Sequence, residues 1–370
     1  MNRIGLIINN LAGGGAERVV VNLARMFQAR GIDVHIFILE DVISYDIAGL
    51  NIHKITIKKQ KSKLFKKNGK QAWAKLLEKA IKEIEIDGIK FDALFSNLPL
   101  TDRVVTRVNL ENKIYYIIHT TYSLELMELK KRGEFIRAFR RKRTFKKLYN
   151  NKNLICVSQG ICDDLTNVGI KPHFNKVIYN PFDTDMIKES GEETPEDLPN
   201  ENYMIHVGAY RKEKRHDILL EAYSKLHNPP KLILMCKYHE ELEKLINKFN
   251  LKGKVEIFGF RSNPYPYIKN AKLLILSSGR EGLPTVLVEA LVLETPIVST
   301  NCVSGPSEIL TGALNTYLAK VNDSNDLADK ISLALESYPN IDATMIEKFK
   351  EENIYYEYKK LWENNSKNEY

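Results

Sequence analysis

The stretch LSSGREGLPTVLVEALVLETP, residues 276–296, decides how the rest of the chain is interpreted. The apolar run KLLIL, residues 272–276, leads into it and is typical of a buried strand. A short polar turn follows, and Pro284 then suits the first position of a helix, because its missing N–H would be unpaired there anyway. The N–H groups at such a helix start, with Gly282 just before it, predict a site where an anionic ligand approaches the backbone closely.

Two glutamates bracket this turn, Glu281 in the loop and Glu289 within the predicted helix. Side chains on a helix lean toward its N-terminus, so we expect Glu289 to lean back over Thr285 toward Glu281. Two carboxylates placed in this way can accept hydrogen bonds from hydroxyl groups on two parts of one ligand. The alternative is a solvated glutamate on an ordinary helix face, but a charge is costly in so apolar a helix unless it has a partner.

Length and composition are typical of a soluble globular protein. The 370 residues are enough for two or three domains with cores of their own, and 44% of them are hydrophobic and 28% charged. No apolar run approaches the roughly 18 residues of a membrane-spanning helix, and the N-terminal run Ile4–Ile8 is too short for the core of a signal peptide. The four cysteines are scattered without metal-ligand spacing, which predicts reduced thiols in a cytosolic protein.

The net charge of +8 hides an asymmetry between two halves of the chain. Residues 1–182 carry 32 Lys and Arg against 17 Asp and Glu, a net of +15, whereas residues 183–370 carry 23 against 30, a net of −7. A basic half predicts contact with something anionic: a membrane surface, a lipid diphosphate or a nucleic acid. No recognisable nucleic-acid-binding motif supports the last of these, and we expect no nucleic acid partner.

The N-terminal residues have the pattern of a strand, loop, helix and strand. The run RIGLIIN, residues 3–9, is typical of a buried parallel strand, and the next loop holds Gly13, Gly14 and Gly15 before an apolar-periodic helix. The three glycines lack the spacing of the dinucleotide-binding fingerprint. They let backbone come close to a ligand at a helix N-terminus, although a tight strand-to-helix turn explains them equally well.

Recurring strand-like runs separated by helical stretches predict an α/β protein with two Rossmann-like, doubly wound domains facing each other across a cleft. We place the first domain at residues 1–182, and a linker rich in Asp, Glu, Gly and Pro at 183–202. The second domain is placed at 203–345. A C-terminal helix within 346–370 is expected to return toward the first domain.

Ligands of such sheets bind beyond the carboxyl ends of the strands, and two groups of residues fall at that edge. His119 directly follows the strand-like run IYYII, where a ligand-binding role and a structural role both remain open. In the second domain, a cluster of cations follows a strand end and would oppose a diphosphate. Its members are Arg211, Lys212, Lys214 and Arg215.

One segment concentrates the positive charge. Residues 130–147, KKRGEFIRAFRRKRTFKK, contain ten basic residues against Glu134 alone, with aromatic residues at partly helical spacing. Such a helix can lie on an anionic membrane, and a solvated helix whose aromatic side chains pack into their own domain is an equally good interpretation. The basic residues of this membrane or acceptor patch are Lys130, Lys131, Arg132, Arg137, Arg140, Arg141 and Arg143.

The chain resembles the family-4 retaining glycosyltransferases of GT-B fold, of the kind that build bacterial cell-surface glycans. The resemblance covers nearly the whole chain and is most specific over residues 203–312. There, E-G-L-P-x-x-x-x-E from Glu281 to Glu289 is similar to the paired-glutamate element of the family. GGGAE, residues 13–17, is similar to the family's glycine loop, and GPSEIL, residues 305–310, to a further family segment.

This resemblance implies roles for individual residues. Glu281 would contact donor-sugar hydroxyls, Glu289 the nucleotide ribose, and His119 the donor sugar near its reacting carbon. Gly14 and Gly15 would lie near phosphate and acceptor. The backbone expected to hold the donor sugar and diphosphate is that of Gly282, Leu283, Pro284 and Thr285, and the backbone expected to receive the base is that of Phe260 and Arg261.

One position departs from the family pattern. The family has a diphosphate-binding arginine directly after Val-Gly, but Val207-Gly208 is followed here by Ala209. Lys214 matches the family's lysine five positions further on, and Arg211 is the candidate to supply the missing guanidinium. His119, Lys214 and Glu281 are therefore the expected catalytic residues.

The resemblance implies a retaining, metal-independent hexosyltransferase with no cofactor beyond its co-substrate, a UDP-sugar. A hexose or N-acetylhexosamine would move to a lipopolysaccharide, capsule or lipid-linked acceptor. We expect a cytoplasmic protein bound peripherally to the inner face of the cell membrane. The alternative is a nucleotide- or sugar-binding partner of a glycosyltransferase without catalysis of its own, and the changed position at Ala209 supports it.

Overall fold

A computed structural model of the protein describes residues 2–56 and 63–363, with side chains described from residue 69 onward in the second range. The chain divides into two compact units, considered separately below. The first unit contains the described residues of Met1–Val157, Ile161–Pro181 and Glu351–Tyr370, and the second contains Ser158–Gly160 and Phe182–Lys350. Residues 364–370 of the predicted C-terminal helix lie outside the described residues.

A parallel sheet of seven strands forms the centre of the first unit, in the order β3-β2-β1-β4-β5-β6-β7. Its central strands are apolar and buried on both faces, as expected for a sheet covered by helices on each side. The strands are β1 (Arg3–Ile8), β2 (Asp33–Ile38), β3 (Asn51–Lys54), β4 (Ala93–Asn97), β5 (Ile114–Ile118), β6 (Asn153–Cys156) and β7 (Phe174–Val177).

Helices connect these strands, and the last helix of the chain also belongs to the first unit. They are α1 (Gly15–Gln28), α2 (Lys63–Ile84), α3 (Pro99–Val105), α4 (Ser123–Lys131), α5 (Phe135–Tyr149), α6 (Gln159–Val168) and α14 (Glu351–Glu363), with a 3-10 helix at Glu85–Asp87. The ring of Phe27 on α1 meets Tyr358 and Trp362 of α14 edge-on, at centroid distances of 5.5 and 5.7 Å. Aromatic packing therefore holds α14 to this unit.

A parallel sheet of six strands forms the second unit, in the order β10-β9-β8-β11-β12-β13. Its strands are β8 (Tyr203–Val207), β9 (Lys231–Met235), β10 (Val255–Ile257), β11 (Leu273–Leu276), β12 (Ile297–Thr300) and β13 (Leu318–Ala319). Its helices are α7 (Thr184–Gly191), α8 (His216–Ser224), α9 (Glu240–Lys248), α10 (Tyr265–Lys269), α11 (Thr285–Val292), α12 (Pro306–Ile309) and α13 (Ser324–Glu336), with 3-10 helices at Lys212–Lys214, Gly312–Tyr317 and Ala343–Phe349. These two parallel sheets confirm the predicted fold class of two Rossmann-like domains.

Two stretches differ from the sequence-based expectation. The predicted linker, 183–202, contains α7, which begins because the Asp183 carboxylate accepts a hydrogen bond from the Met186 N–H at 2.9 Å. This stretch lies in the second unit. The C-terminal α-helix begins at Glu351, because Lys350 adopts an extended conformation that ends the preceding 3-10 helix.

Candidate functional site

An ion pair between Lys214 and Glu281 is the centre of the site in the second unit. β8 and β11 are parallel neighbours, so the segments that follow them leave the sheet at the same edge. Lys214 lies in the 3-10 helix after β8 and Glu281 in the loop after β11, and Nζ approaches Oε1 to 2.7 Å. Their side chains are 22% and 13% exposed, which largely shields the pair from water while leaving it within reach of a ligand.

The loop that carries Glu281 is tied to the segment that carries Lys214. The Ser277 hydroxyl donates a hydrogen bond to the Lys214 carbonyl at 2.8 Å. The Gly279 N–H donates to the Glu213 carbonyl, also at 2.8 Å. These two bonds join the loop after β11 to the backbone of the segment after β8, and they help to hold Lys214 and Glu281 beside each other before any ligand binds.

Ser304 and Gly305 hold the same loop from its other side. The Ser304 hydroxyl lies 2.9 Å from the Glu281 carbonyl and 2.7 Å from the Gly282 carbonyl, so its single proton can be donated to either. Gly305 has a φ of +94°, and a Cβ there would lie 2.3 Å from Cδ of Pro284. Only glycine satisfies both the left-handed backbone and the close approach of this loop.

The start of α11 differs by one residue from the prediction. Pro284 is the N-cap, with extended backbone, and the helix begins at Thr285, so proline precedes the first helical position. Pro284 contributes no side-chain cap to the helix start. Glu289 is 3% exposed within this apolar helix, and a carboxylate is found at such depth only when other polar groups stabilise it.

Two buried histidines lie behind Lys214. The His206 Nδ1–H donates to the Ile275 carbonyl at 2.9 Å, which joins β8 to β11, and the ring of His216 lies 4.7 Å from that of His206. Burial lowers the pKa of His206 to about 4 and that of His216 to about 2. Both rings are therefore neutral near pH 7. Neither histidine places a second positive charge near the Lys214 ammonium.

The remaining predicted donor residues lie at the surface of the second unit. Arg211 precedes the 3-10 helix of Lys214 and is exposed, and Phe260 is 60% exposed. Arg261 makes an ion pair with Asp197 at 2.5 Å, and its guanidinium lies 5.1 Å from the centre of the Phe258 ring. The side chain of Arg261 is thus engaged within the unit.

His119 lies at the carboxyl edge of the sheet in the first unit, as the sequence predicts. Its Nε2 lies 2.9 Å from Oδ1 of Asn97, which ends the neighbouring strand β4. The amide nitrogen of Asn97 faces the carbonyls of Ile7 and Phe95, at 3.4 and 3.2 Å. Carbonyls accept hydrogen bonds, so this amide nitrogen donates, and the Asn97 oxygen is left to accept from His119 Nε2–H.

The hydrogen bond to Asn97 determines what His119 can do. With its proton on Nε2, the neutral ring keeps a lone pair on Nδ1. Burial lowers the pKa of His119 to about 4, so the ring stays neutral near pH 7. It is suited to accept a hydrogen bond from a ligand hydroxyl, and it cannot serve as an acid.

The glycine loop of the first unit combines open backbone with a negative charge. Gly13 has a φ of +102°, Gly14 is the N-cap of α1, and the Tyr45 hydroxyl donates to the Gly14 carbonyl at 2.8 Å. A Cβ at Gly14 would lie 2.3 Å from Oε2 of Glu17, so the Glu17 carboxylate covers this helix start. A phosphate bound at this point would meet that carboxylate, whereas a hydroxyl group can donate to it.

The basic segment of the first unit, residues 130–147, covers the end of α4 and most of α5. The apolar side chains at one end are exposed: Met127 by 50%, Phe135 by 65%, Ile136 by 72% and Phe139 by 62%. The residues further along α5, Phe145 and Leu148, are buried. The later aromatic side chains of α5 therefore pack into their own unit, whereas its earlier apolar residues face outward. Binding to a membrane stays a prediction.

The predicted basic patch surrounds these exposed apolar residues. Lys130, Lys131, Arg132, Arg137, Arg140 and Arg143 are exposed. Arg141 differs, because it is half-buried, pairs with Glu125 at 2.6 Å and lies 4.7 Å from the centre of the Phe145 ring. Among the described residues, no helix has the length and apolar character needed to cross a bilayer.

Two family models together match most of the chain. The model for Glycosyltransferase Family 4 matches residues 13–186, and the model for Glycosyl transferases group 1 matches residues 190–352. The chain belongs to the family-4 glycosyltransferases of GT-B fold. This finding confirms the resemblance predicted from the paired glutamates and the glycine loop.

Several relatives and solved structures are similar to this glycosyltransferase. The N-acetylgalactosamine-N,N'-diacetylbacillosaminyl-diphospho-undecaprenol 4-alpha-N-acetylgalactosaminyltransferase of Campylobacter jejuni is 29% identical, over 91% of each chain. The lipopolysaccharide 1,6-galactosyltransferase of Escherichia coli is 29% identical over 46% of this chain and 48% of that protein. The structure of Anabaena HepE in complex with UDP and glucose has a TM-score of 0.76 at 19% identity, covering 97% of this chain and 99% of that one.

Some residues that shape the site of this glycosyltransferase were not singled out from the sequence. Ser277, Ser304 and Gly305 fix the Glu281 loop, and Asn97 sets the proton position on His119. Gly305 lies in GPSEIL, and the similarity of this segment to the family could have drawn attention to it. The roles of Ser277 and Asn97 depend on which strands are neighbours in the sheet, and no short sequence motif predicts them.

Proposed function

We propose that this glycosyltransferase moves a hexose or N-acetylhexosamine from a UDP-sugar to a lipid-linked or cell-surface glycan, with retention of anomeric configuration. The observation that carries the proposal is the Lys214–Glu281 pair, 2.7 Å apart at the carboxyl edge of the second sheet. A fixed cation beside a carboxylate suits a ligand that combines a diphosphate with sugar hydroxyls. The names of the relatives, which include a diphospho-undecaprenol and a lipopolysaccharide transferase, support the acceptor class.

In the proposed reaction, the bond between the anomeric carbon and the diphosphate oxygen breaks. The acceptor oxygen bonds to that carbon from the same face, and its proton passes to the leaving phosphate. The Lys214 ammonium, with the Arg211 guanidinium and the N-terminus of α11, would stabilise the negative charge that develops on the diphosphate. We propose that these groups take the place of a metal ion and that no cofactor takes part.

The sugar and the ribose would be held by carboxylates and a neutral imidazole. Glu281, which keeps further acceptor capacity beside its bond to Lys214, would bind donor hydroxyls, and Glu289 would bind the ribose. Nδ1 of His119 would accept from a hydroxyl of the donor sugar. The Glu17 carboxylate over Gly14 favours acceptor hydroxyls at the glycine loop over phosphate.

We further propose that the first unit attaches reversibly to the anionic inner face of the cell membrane. Six exposed cations surround four exposed apolar side chains on α4 and α5, which suits a surface of acidic head groups above acyl chains. Co-sedimentation with vesicles that contain phosphatidylglycerol, and none with phosphatidylcholine vesicles, is expected. Equal binding to both, or to neither, would contradict this part of the proposal.

A screen of UDP-sugars tests the enzymatic part. Purified protein is incubated with each UDP-sugar and a lipid-linked or lipopolysaccharide acceptor, and the product is analysed by NMR. We expect release of UDP with one donor and a product that keeps the donor's α or β configuration. An inverted product would contradict the retaining mechanism.

The second candidate function is a nucleotide-sugar-binding partner without catalysis. Ala209, which stands where the family has an arginine, is the observation that favours it. Binding of UDP without hydrolysis or transfer from any UDP-sugar in the same screen would support this candidate over the first.

A further inference from the structure

Two cysteines of the first unit bring their sulfur atoms within 2.9 Å of each other. Cys156 is the last residue of β6, and Cys162 lies in the first turn of α6. This separation is shorter than an ordinary contact between non-bonded sulfur atoms. A disulfide needs about 2.05 Å, so the two sulfur atoms would have to approach each other by about 1 Å.

The two thiols differ in how they can be reached. Cys156 is fully buried, whereas Cys162 keeps 7% of its surface exposed. The side-chain amide of Asn175 donates to Sγ of Cys162 at 3.6 Å. Because Cys162 is the more exposed of the two, it is the sulfur that a small oxidant would meet first.

The other two cysteines provide an internal comparison. All four cysteines are reduced and buried. Burial raises the pKa of Cys236 to about 11 and that of Cys302 to about 12, so their thiolate populations near pH 7 are very small. The Cys302 S–H donates a hydrogen bond to the Ser304 carbonyl at 3.7 Å.

We propose that Cys156 and Cys162 are a site of reversible oxidation that takes hydrogen peroxide as its oxidant and forms an intramolecular disulfide. The Cys162 thiolate attacks one peroxide oxygen, the O–O bond breaks, and hydroxide leaves, which gives a sulfenic acid. The Cys156 sulfur then attacks the Cys162 sulfur and expels hydroxide. Overall, two thiols and one peroxide give one disulfide and two water molecules, and an external dithiol reverses the reaction.

Thiol counting on the full-length reduced protein tests this proposal. The protein is treated with one equivalent of hydrogen peroxide, denatured, and labelled with N-ethylmaleimide before mass spectrometry. We expect four labels on the reduced protein and two after peroxide, with a peptide that links Cys156 to Cys162. Dithiothreitol should restore four labels. Four labels after peroxide, a link through Cys236 or Cys302, or a link between two chains would overturn the proposal.

Two variants separate the roles of the sulfurs. In Cys156→Ser, peroxide should leave Cys162 as a sulfenic acid that a 1,3-dione reagent traps. In Cys162→Ser, Cys156 should keep its thiol. Trapping on Cys156 instead would contradict the assigned order. The labelling of the wild-type protein remains decisive if either variant fails to fold.

Discussion

The chain carries cations in two places with opposite surroundings. Lys214 in the second unit is 22% exposed, pairs with Glu281 at 2.7 Å, and lies in a segment whose backbone is hydrogen-bonded to the Glu281 loop. The cations of α4 and α5 in the first unit are mostly exposed, next to apolar side chains such as Phe135 and Phe139. A single cation in a fixed position suits one diphosphate, whereas a spread of exposed cations suits an extended anionic surface.

The largest expected effect follows from removing the fixed cation. Lys214→Ala should lower the turnover of the UDP-sugar by on the order of 10²–10³-fold, the usual cost of losing one group that stabilises developing charge. Lys212→Ala is the matched control, because Lys212 lies in the same 3-10 helix and is exposed. Turnover is measured by UDP release. Equal losses in the two variants would mean that net charge matters and position does not.

A glycine that shapes the fixed loop gives the next effect. Gly305→Ala combines a left-handed backbone with a Cβ placed 2.3 Å from Pro284, whereas Gly312→Ala has a φ of +58° and open space around it. We expect Gly305→Ala to lower the free energy of unfolding by about 1–3 kcal/mol more than Gly312→Ala, because of overpacking. Urea unfolding of both variants measures this difference. Similar values would show that the loop readily moves away.

A buried carboxyl in α3, next to the last residue of α5, predicts a pH dependence. The hydroxyls of Ser96 and Tyr149 lie 2.6 and 2.7 Å from the two oxygens of Asp102. Burial raises the pKa of Asp102 to about 7, from 3.8 in an exposed carboxyl. The folded state then binds more protons than the unfolded state between these values, so the stability of the first unit should fall as the pH rises from about 4 to about 7.

Asp102→Asn checks this dependence. Between pH 5 and pH 8, we expect the unfolding free energy of the wild-type protein to fall by on the order of 1–3 kcal/mol. In the variant, this fall should be much smaller. Asp163→Asn, at an exposed position on α6, should keep it. The measurement is urea unfolding followed at both pH values. A wild-type stability that rises over this range would contradict the assignment to Asp102.

The smallest effect concerns the exposed cations and their apolar neighbours. Phe139→Ala should weaken binding to anionic vesicles by about tenfold, as expected when one aromatic side chain no longer enters the interface. Its unfolding free energy should stay unchanged, because Phe139 is 62% exposed. Tyr356→Ala, at an aromatic residue of α14 that is 60% exposed, is the control and should bind vesicles like wild type. Unchanged binding by Phe139→Ala would favour a patch that acts by charge alone.

The sequence was sufficient to predict the class of fold and the edge of each sheet where the candidate residues lie. Apolar strands followed by helices indicated parallel sheets. His119 directly follows β5, and Lys214 and Glu281 lie in the segments that come after β8 and β11. Their positions at the carboxyl edge follow from that order alone. The pairing of Lys214 with Glu281 was less accessible, because it depends on β8 lying beside β11, which are far apart in sequence.

Other features depend on packing that no local pattern encodes. The exposure of Phe139 and the burial of Phe145 depend on where α5 meets its own unit. The proton position on His119 depends on two carbonyls that orient the Asn97 amide. By contrast, the helix inside the predicted linker could have been predicted locally. Asp183 is a typical N-cap residue, and its carboxylate accepts a hydrogen bond from the N–H of Met186, three positions later.

The most direct test of the account is a calorimetric titration with UDP, GDP and ADP, with and without EDTA. It compares wild type with Glu289→Ala and, as a control, Glu240→Ala on the exposed part of α9, after thermal unfolding has shown that each variant is folded. We expect selective binding of UDP that survives EDTA, weakens in Glu289→Ala and is unchanged in Glu240→Ala. No binding of any nucleotide, or binding that EDTA abolishes, would contradict a metal-independent UDP-sugar site built around the Lys214–Glu281 pair.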